Sequence, residues 1–254
     1  MSLNTKKEGG FEYYEDGEGP VAILLHGLMG TLSNFEECSQ RLVDEGYRVL
    51  IPLLPVYELP LLKTSAKSIS KFLEEFVQYK QLENLTIIGN SLGGHVALIY
   101  TKNNPESVKY LVLTGSSGLY EKAMGDTFPR REDYDYIRKK TEEVFYDPKI
   151  ATKELVDDLF ETVNNRDKVL RILALAKSAI RHNMSKDLPK MHTPTCLIWG
   201  KHDNVTPPEV AEEFHKLMPN SELFWIEKSG HAAMMECPLE FNEILMRWLK
   251  EKTA

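Results

Sequence analysis

The sequence predicts an α/β protein built on a doubly wound, mostly parallel sheet. Short apolar runs alternate with segments of helical periodicity, and the runs are apolar on both faces, as in strands that helices cover on both sides. The 254 residues are 42% hydrophobic, which is enough for a sizeable core in one or two domains. Right-handed crossover connections between such strands place helices on both faces of the sheet.

Six apolar runs are predicted strands, and five periodic segments are predicted helices. The strands are Val21–His26, Arg48–Pro52, Leu85–Gly89, Tyr110–Thr114, Thr195–Gly200 and Glu222–Ile226, with an additional edge strand at Phe11–Glu15. The helices are Leu32–Asp44, Ser65–Tyr79, Leu92–Asn103, Pro208–Leu217 and Leu239–Lys250. Ligands of such sheets bind outside the carboxyl ends of the strands, so the loops there are where a site is expected.

The alternation breaks once, between residues 117 and 188. This stretch has no clear strand, but Glu154–Thr162 and Lys168–Ile180 show helical apolar spacing. Seventy structureless residues are implausible inside a compact domain, so a helical insertion is predicted there.

Composition excludes several classes of function. The net charge is −7 and basic residues are not clustered, which argues against a nucleic-acid partner. The three cysteines, Cys38, Cys196 and Cys237, have neither a disulfide-framework nor a metal-ligand spacing. Residues 1–10 lack an apolar signal core, and no stretch approaches the ~20 apolar residues of a membrane span. A cytoplasmic protein without a membrane partner, metal or cofactor is predicted.

The pentapeptide Gly89-Asn-Ser-Leu-Gly93 is the most specific local signal. It begins where an apolar strand ends and opens a predicted helix, which is the setting in which Gly-x-Ser-x-Gly holds a nucleophilic serine in a strained turn. A phosphate-binding turn would need Gly-x-x-x-x-Gly-Lys or Gly-x-Gly-x-x-Gly, and neither is present. Ser91 is therefore the predicted nucleophile.

A serine hydroxyl is a weak nucleophile at neutral pH and needs a histidine base that an acid orients. His231 follows the last predicted strand and is the predicted base, whereas His202 is predicted to be partly exposed. Asp203 follows the preceding strand and is the predicted acid. Thr206 is better placed than Asp203 to cap the helix that starts near Pro207.

The oxyanion of an acyl-transfer intermediate needs backbone donors. The predicted donors are the N–H groups of Leu92, directly after the serine, and of Leu28, after the His26-Gly27 pair. We interpret His26 as a structural residue that braces this loop, and His95 as one that packs against the sheet.

Four stretches in this order resemble the α/β-hydrolase fold family, in its lid-bearing, esterase-like members. They are His-Gly at 26–27, Gly-Asn-Ser-Leu-Gly-Gly at 89–94, Gly-Lys-His-Asp at 200–203 and Ser-Gly-His at 229–231. The resemblance implies a Ser-Asp-His triad, a hydrolase core at residues 1–116 and 189–254, and a helical cap at 117–188, inserted after the sixth strand. Cap aromatics could line an acyl pocket or only hold the cap together: Tyr120, Phe128, Tyr134, Tyr136, Phe145 and Tyr146.

The resemblance implies a cofactor-free serine hydrolase that cleaves a small or medium carboxylic ester, acting as a monomer or homodimer. Two alternatives within the fold are a thioesterase and a carbon–carbon bond hydrolase. The latter is similar through Gly-Asn-Ser-x-Gly-Gly, but its members usually carry an aromatic residue after the catalytic histidine, where this chain has Ala232. A third alternative is a ligand-binding protein that keeps only a relic triad.

Overall fold

The computed structural model describes residues 3–120 and 130–253, and in these residues it contains one eight-stranded sheet. The strands lie in the order β1-β2-β4-β3-β5-β6-β7-β8. Their bounds are β1 Thr5–Glu8, β2 Phe11–Asp16, β3 Val21–Leu25, β4 Arg48–Pro52, β5 Leu85–Asn90, β6 Val108–Thr114, β7 Thr195–Gly200 and β8 Ser221–Ile226. The pairs from β4 through β8 are parallel, whereas the β1–β2 and β2–β4 pairs are antiparallel. The predicted mostly parallel α/β architecture is confirmed.

Helices cover the sheet on both faces. Their bounds are α1 Glu36–Asp44, α2 Ala66–Lys80, α3 Leu92–Asn103, α4 Tyr134–Glu142, α5 Lys153–Asn164, α6 Arg166–Arg181, α7 Pro208–Leu217, α8 Ala233–Glu236 and α9 Pro238–Thr253. Alternate residues of β3 show the two layers. Ile23 packs in a cluster with residues of α2, α3 and α7, whereas Leu24 packs in a second cluster with residues of α1 and α9. Helices therefore cover β3 on both of its faces, as its two-faced apolar run predicts.

Two sequence predictions about element bounds are wrong. The strand near Phe11 is not at the edge, because β1 pairs with it on its outer side. Every residue of β1 is exposed and three of the four are charged, so the strand has no apolar alternation by which a sequence could reveal it. The predicted helix 32–44 is divided into a 3₁₀ turn over Leu32–Phe35 and α1 from Glu36.

The residues between β6 and β7 that the structure describes form α4, α5 and α6 and no strand. We call residues 117–188 the inserted segment. The predicted helices near 154–162 and 168–180 are present as α5 and α6, whereas α4 was not predicted because only Ile137 and Thr141 of its nine residues are buried.

Candidate active site

The serine lies at the junction of β5 and α3, in a backbone conformation that side chains other than glycine rarely adopt. Ser91 has φ 53° and ψ −119°. Three backbone hydrogen bonds hold it there: its N–H donates to the Thr114 carbonyl at 3.2 Å, and its own carbonyl accepts from the N–H groups of His95 and Ser117, each at 3.1 Å. A strained residue persists when its surroundings fix it in this way, and such strain is concentrated at functional sites.

The glycines around Ser91 are required by close backbone approach. A Cβ on Gly93 would collide with the carbonyl of Leu25, at the end of β3, and would lie 2.7 Å from the His26 carbonyl oxygen. A Cβ on Gly89 would lie 2.6 Å from the Gly93 carbonyl oxygen and from Gly94 backbone atoms. Helix α3 therefore starts directly against the ends of β3 and β5, which places the serine at the carboxyl edge of the sheet.

We expect Gly93→Ala to lower the free energy of unfolding by about 3 kcal/mol, because the new methyl group meets backbone atoms that cannot move without displacing β3. Urea unfolding followed by circular dichroism measures the change. Gly10→Ala is the control: nothing lies within 4 Å of a Cβ there, so only its φ of 84° is unfavourable, at about 1 kcal/mol. A loss for Gly93→Ala no larger than for Gly10→Ala would contradict the steric explanation.

The predicted acid and base form a buried hydrogen-bonded pair. Nδ1 of His231 donates to Asp203 Oδ2 at 2.9 Å and lies 3.1 Å from Oδ1. The side chain of Asp203 is fully buried, and that of His231 is 9% exposed. A proton on Nδ1 leaves Nε2 as the basic nitrogen of a neutral imidazole, which is the tautomer that a general base requires.

The surroundings of Asp203 fix its carboxylate. Oδ1 accepts from the backbone N–H groups of Val205 at 2.8 Å and Thr206 at 2.9 Å, and Oδ2 accepts from the Thr206 hydroxyl at 2.8 Å. The prediction that Thr206 caps the following helix is wrong. α7 begins at Pro208 with no side-chain cap, because the Thr206 hydroxyl is bonded to the acid instead.

Asn90 connects the base to the serine. Its Nδ2 donates to the His231 carbonyl at 3.2 Å and to the Thr114 carbonyl at 3.0 Å, and the next residue along the chain is Ser91. A Cβ on Gly115, which follows β6, would lie 2.8 Å from Nδ1 and 3.0 Å from Cε1 of His231. The imidazole therefore lies over the ends of β5 and β6, at the same edge as the serine.

The loop after β3 lies beside the serine. A Cβ on Gly27 would be 3.3 Å from the Ser91 Cβ, and Gly27 and Gly30 close a turn that contains Leu28. Leu92 is the first residue of α3, and first-turn amides of a helix have no acceptor within the helix. That these two amides hold an oxyanion stays a prediction.

His26 and His95 are buried in structural surroundings. Nε2 of His26 accepts from the Leu54 N–H at 3.1 Å, and Nδ1 donates to the Gly27 carbonyl at 2.9 Å. Burial lowers the pKa of His26, so the ring is neutral and braces the loop, in agreement with the sequence interpretation. His95 is buried, but its ring stacks on His182 of the inserted segment, with Nε2 3.0 Å from Nδ1 of His182, and this contact was not predicted. His202 is exposed, as expected.

The predicted cap aromatics have different surroundings. Tyr134 packs edge-on against Phe160 within the inserted segment, and Tyr146 packs on His202. Phe128 lies outside the described residues. Tyr120 is 55% exposed. These contacts support a packing role for Tyr134 and leave the predicted acyl pocket untested.

Comparisons with known proteins identify the class. The model of the alpha/beta hydrolase family matches residues 22–244, so the chain belongs to that family. A solved alpha/beta hydrolase enzyme from the metagenome of sediments from the lagoon of Mar Chica, Morocco, is 51% identical, with a TM-score of 0.83 over 99% of this chain and 100% of that one.

Relatives of similar identity have names that indicate different activities. A 2-hydroxy-6-oxononadienedioate/2-hydroxy-6-oxononatrienedioate hydrolase from Pseudomonas sp. is 28% identical over 95% of this chain and 92% of its own length. Lipase 1 of Psychrobacter immobilis is also 28% identical, over 88% of this chain and 75% of its own length. The family is therefore established, and relatives of similar identity include both an oxononadienedioate hydrolase and a lipase.

Two further findings concern partners. In the described part of the chain, no helix combines the length and the apolar character that crossing a bilayer requires. The same residues contain no group of three or more His, Cys, Asp or Glu side chains arranged to hold a metal ion. The cytoplasmic location and the choice between monomer and homodimer stay predictions.

Proposed function

We propose that this protein is a serine hydrolase that cleaves a small or medium carboxylic ester through an acyl-enzyme. Ser91 Oγ forms a bond to the ester carbonyl carbon while His231 accepts the hydroxyl proton, and the amides of Leu28 and Leu92 hold the oxyanion. The bond to the alkoxy oxygen then breaks, and His231 returns the proton to the leaving alcohol. Water, activated by His231, releases the acid and restores the serine.

One observation carries the proposal: the buried Asp203–His231 pair lies at the sheet edge that also holds the strained Ser91. The Nδ1 to Oδ2 distance of 2.9 Å is that of a charge-assisted hydrogen bond, which stabilises the imidazolium formed when the serine is deprotonated. Asn90, the residue directly before the serine, donates its Nδ2 to the His231 carbonyl and so links the histidine backbone to the serine turn. Ser91, Asp203 and His231 are far apart in sequence, and their convergence at one edge of the sheet supports a role in nucleophilic catalysis.

We further propose that the inserted segment, residues 117–188, forms a cap over a core made of residues 1–116 and 189–254. Ser117, its first residue, donates its N–H to the Ser91 carbonyl, and residues 143–146 contact the loops that carry Asp203 and His231. A substrate that reaches the serine would therefore pass beside this segment. The proposed substrate is a small-molecule ester or another acyl compound.

A series of p-nitrophenyl esters with increasing acyl length, together with a fluorophosphonate probe, tests this function. We expect turnover that depends on acyl length, and a probe adduct that peptide mass spectrometry places on Ser91. Absence of both turnover and labelling would refute the proposal and favour a binding protein with a relic triad.

A carbon–carbon bond hydrolase is a second candidate, supported by the 28% identity to the oxononadienedioate hydrolase over nearly the full length of both chains. The residue after His231 argues against it, because Ala232 stands where such enzymes usually carry an aromatic side chain. Fast turnover of a vinylogous diketone alongside slow ester hydrolysis would favour this candidate.

A further inference from the structure

The inserted segment contacts both loops that carry the proposed acid and base. After α4 ends, the Val144 carbonyl accepts the N–H of His231 at 3.0 Å. The Glu143 carbonyl accepts from Nδ2 of Asn204, the neighbour of the acid, at 3.3 Å. The inserted segment is therefore hydrogen-bonded to both loops that carry the proposed catalytic pair.

A single carboxylate joins the same segment to the histidine loop. Oε1 of Glu236, the last residue of α8, accepts from the Gly230 N–H at 2.7 Å and from the Ser229 hydroxyl at 3.2 Å. Oε2 accepts from the Tyr146 N–H at 2.6 Å. One oxygen thus serves the loop that carries the proposed base, and the other serves the inserted segment.

The inserted segment and the histidine loop approach each other too closely for a side chain to lie between them. A Cβ on Gly230 would lie 2.6 Å from the Val144 carbonyl oxygen and 3.0 Å from the Tyr146 nitrogen. The residue directly before His231 is therefore pressed against the inserted segment, so a displacement of that segment would be transmitted to the histidine backbone.

The charge of Glu236 suits this position although burial opposes it. Burial is the largest effect and raises the pKa of the carboxyl, and the backbone and hydroxyl donors that face it offset only part of that rise. An ionised carboxylate offers acceptors on both oxygens, whereas an amide offers an acceptor on one side only.

We propose that Glu236 is a positioning residue that couples the inserted segment to His231. The inference rests on the proposed function, in which His231 is the general base. Glu236 accepts hydrogen bonds from both the histidine loop and the inserted segment. It therefore fixes the position of the loop relative to the segment, and with it the position of the imidazole over the ends of β5 and β6. Removing one acceptor releases either the loop or the segment.

Glu236→Gln tests the coupling. The NH₂ group of the glutamine must face either the Tyr146 N–H or the Gly230 N–H, and two donors that face each other cannot form a hydrogen bond. We expect kcat for p-nitrophenyl acetate to fall about 10- to 100-fold, since small displacements of a catalytic group have effects of this size, while KM changes by less than about threefold. The acid limb of the kcat/KM profile, which reports the base in the free enzyme, should shift as well. Glu240→Gln removes the same charge from an exposed side chain four residues later and should leave all three values unchanged.

A readout that does not require turnover separates this proposal from the proposed function. Proton NMR of the parent should show a downfield signal from the His231 Nδ1 proton, and Glu236→Gln should shift or broaden it even if no ester is turned over. An active parent whose Glu236→Gln variant keeps kcat, the pH profile and this signal would refute the coupling and leave only a structural role. If that variant does not fold, Ser229→Ala, which removes one donor to Oε1, should shift the signal in a smaller way, and an unshifted signal would refute the proposal.

Discussion

Ser91→Ala should lower kcat for p-nitrophenyl acetate by a factor on the order of 10⁵, because the variant has no oxygen with which to form the acyl-enzyme. Fluorophosphonate labelling should be lost at the same time. The fold should persist, since the bonds that fix residue 91 are made by its backbone to Thr114, His95 and Ser117 and not by its side chain. Steady-state kinetics, labelling and a thermal melt measure the three expectations.

Ser107→Ala is the matched control for this substitution. Ser107 precedes β6, at the amino end of a strand whose carboxyl end lies at the site, and its hydroxyl bonds only locally to Tyr100 and Asn104. Its kcat should equal that of the parent. Ester hydrolysis by Ser91→Ala at the parental rate would refute the proposed mechanism, whatever the fold of the variant.

The parts of the fold that the sequence predicts are those in which burial dictates residue type. β5 and β7 are buried along their whole length, so their apolar runs mark them clearly. β1 and α4 are held mainly through exposed or polar residues, and no periodic pattern distinguishes such segments from loops. Prediction therefore fails first at the edge of the sheet and in the inserted segment.

The candidate site divides in the same way. Ser91, Asp203 and His231 are predictable because each follows a recognisable strand, and carboxyl ends of parallel strands meet at one edge. The groups that hold them are not predictable in this way, because their roles depend on contacts between distant loops. Glu236 is such a residue: its position five residues after His231 carries no signal, and only the folded chain shows its two oxygens divided between two segments.

Thr206 illustrates why a local rule can give the wrong result. A threonine before a proline-initiated helix is a good candidate for a cap, since its hydroxyl can accept from the first helical amides. Here the hydroxyl instead donates to Asp203, whose side chain is buried, and buried polar groups require hydrogen-bond partners. The hydroxyl therefore serves the buried carboxylate and not the start of α7, and sequence spacing alone does not show which of the two it serves.

Asp203→Asn should lower kcat by about 10⁴, the effect expected when a triad histidine is held in the wrong tautomer. Two backbone N–H groups, from Val205 and Thr206, donate to Oδ1 and cannot reverse their polarity. The asparagine oxygen should therefore remain on that side, which turns the amide NH₂ toward His231. Nδ1 then becomes an acceptor, and the proton moves to Nε2, the nitrogen that must accept the serine proton.

Two control substitutions test whether the wrong tautomer of His231 causes this loss. Asp44→Asn replaces an exposed carboxylate at the end of α1 and should leave kcat unchanged. Thr206→Val removes a hydroxyl donor but keeps both backbone N–H groups, so the carboxylate stays in place and the loss should be only about tenfold. Fluorophosphonate labelling of Asp203→Asn should be slow but should still occur at Ser91, since the nucleophile remains. If Asp203→Asn instead matches the parent in kcat and in its pH profile, Asp203 does not orient the base, and the buried pair has only a structural role.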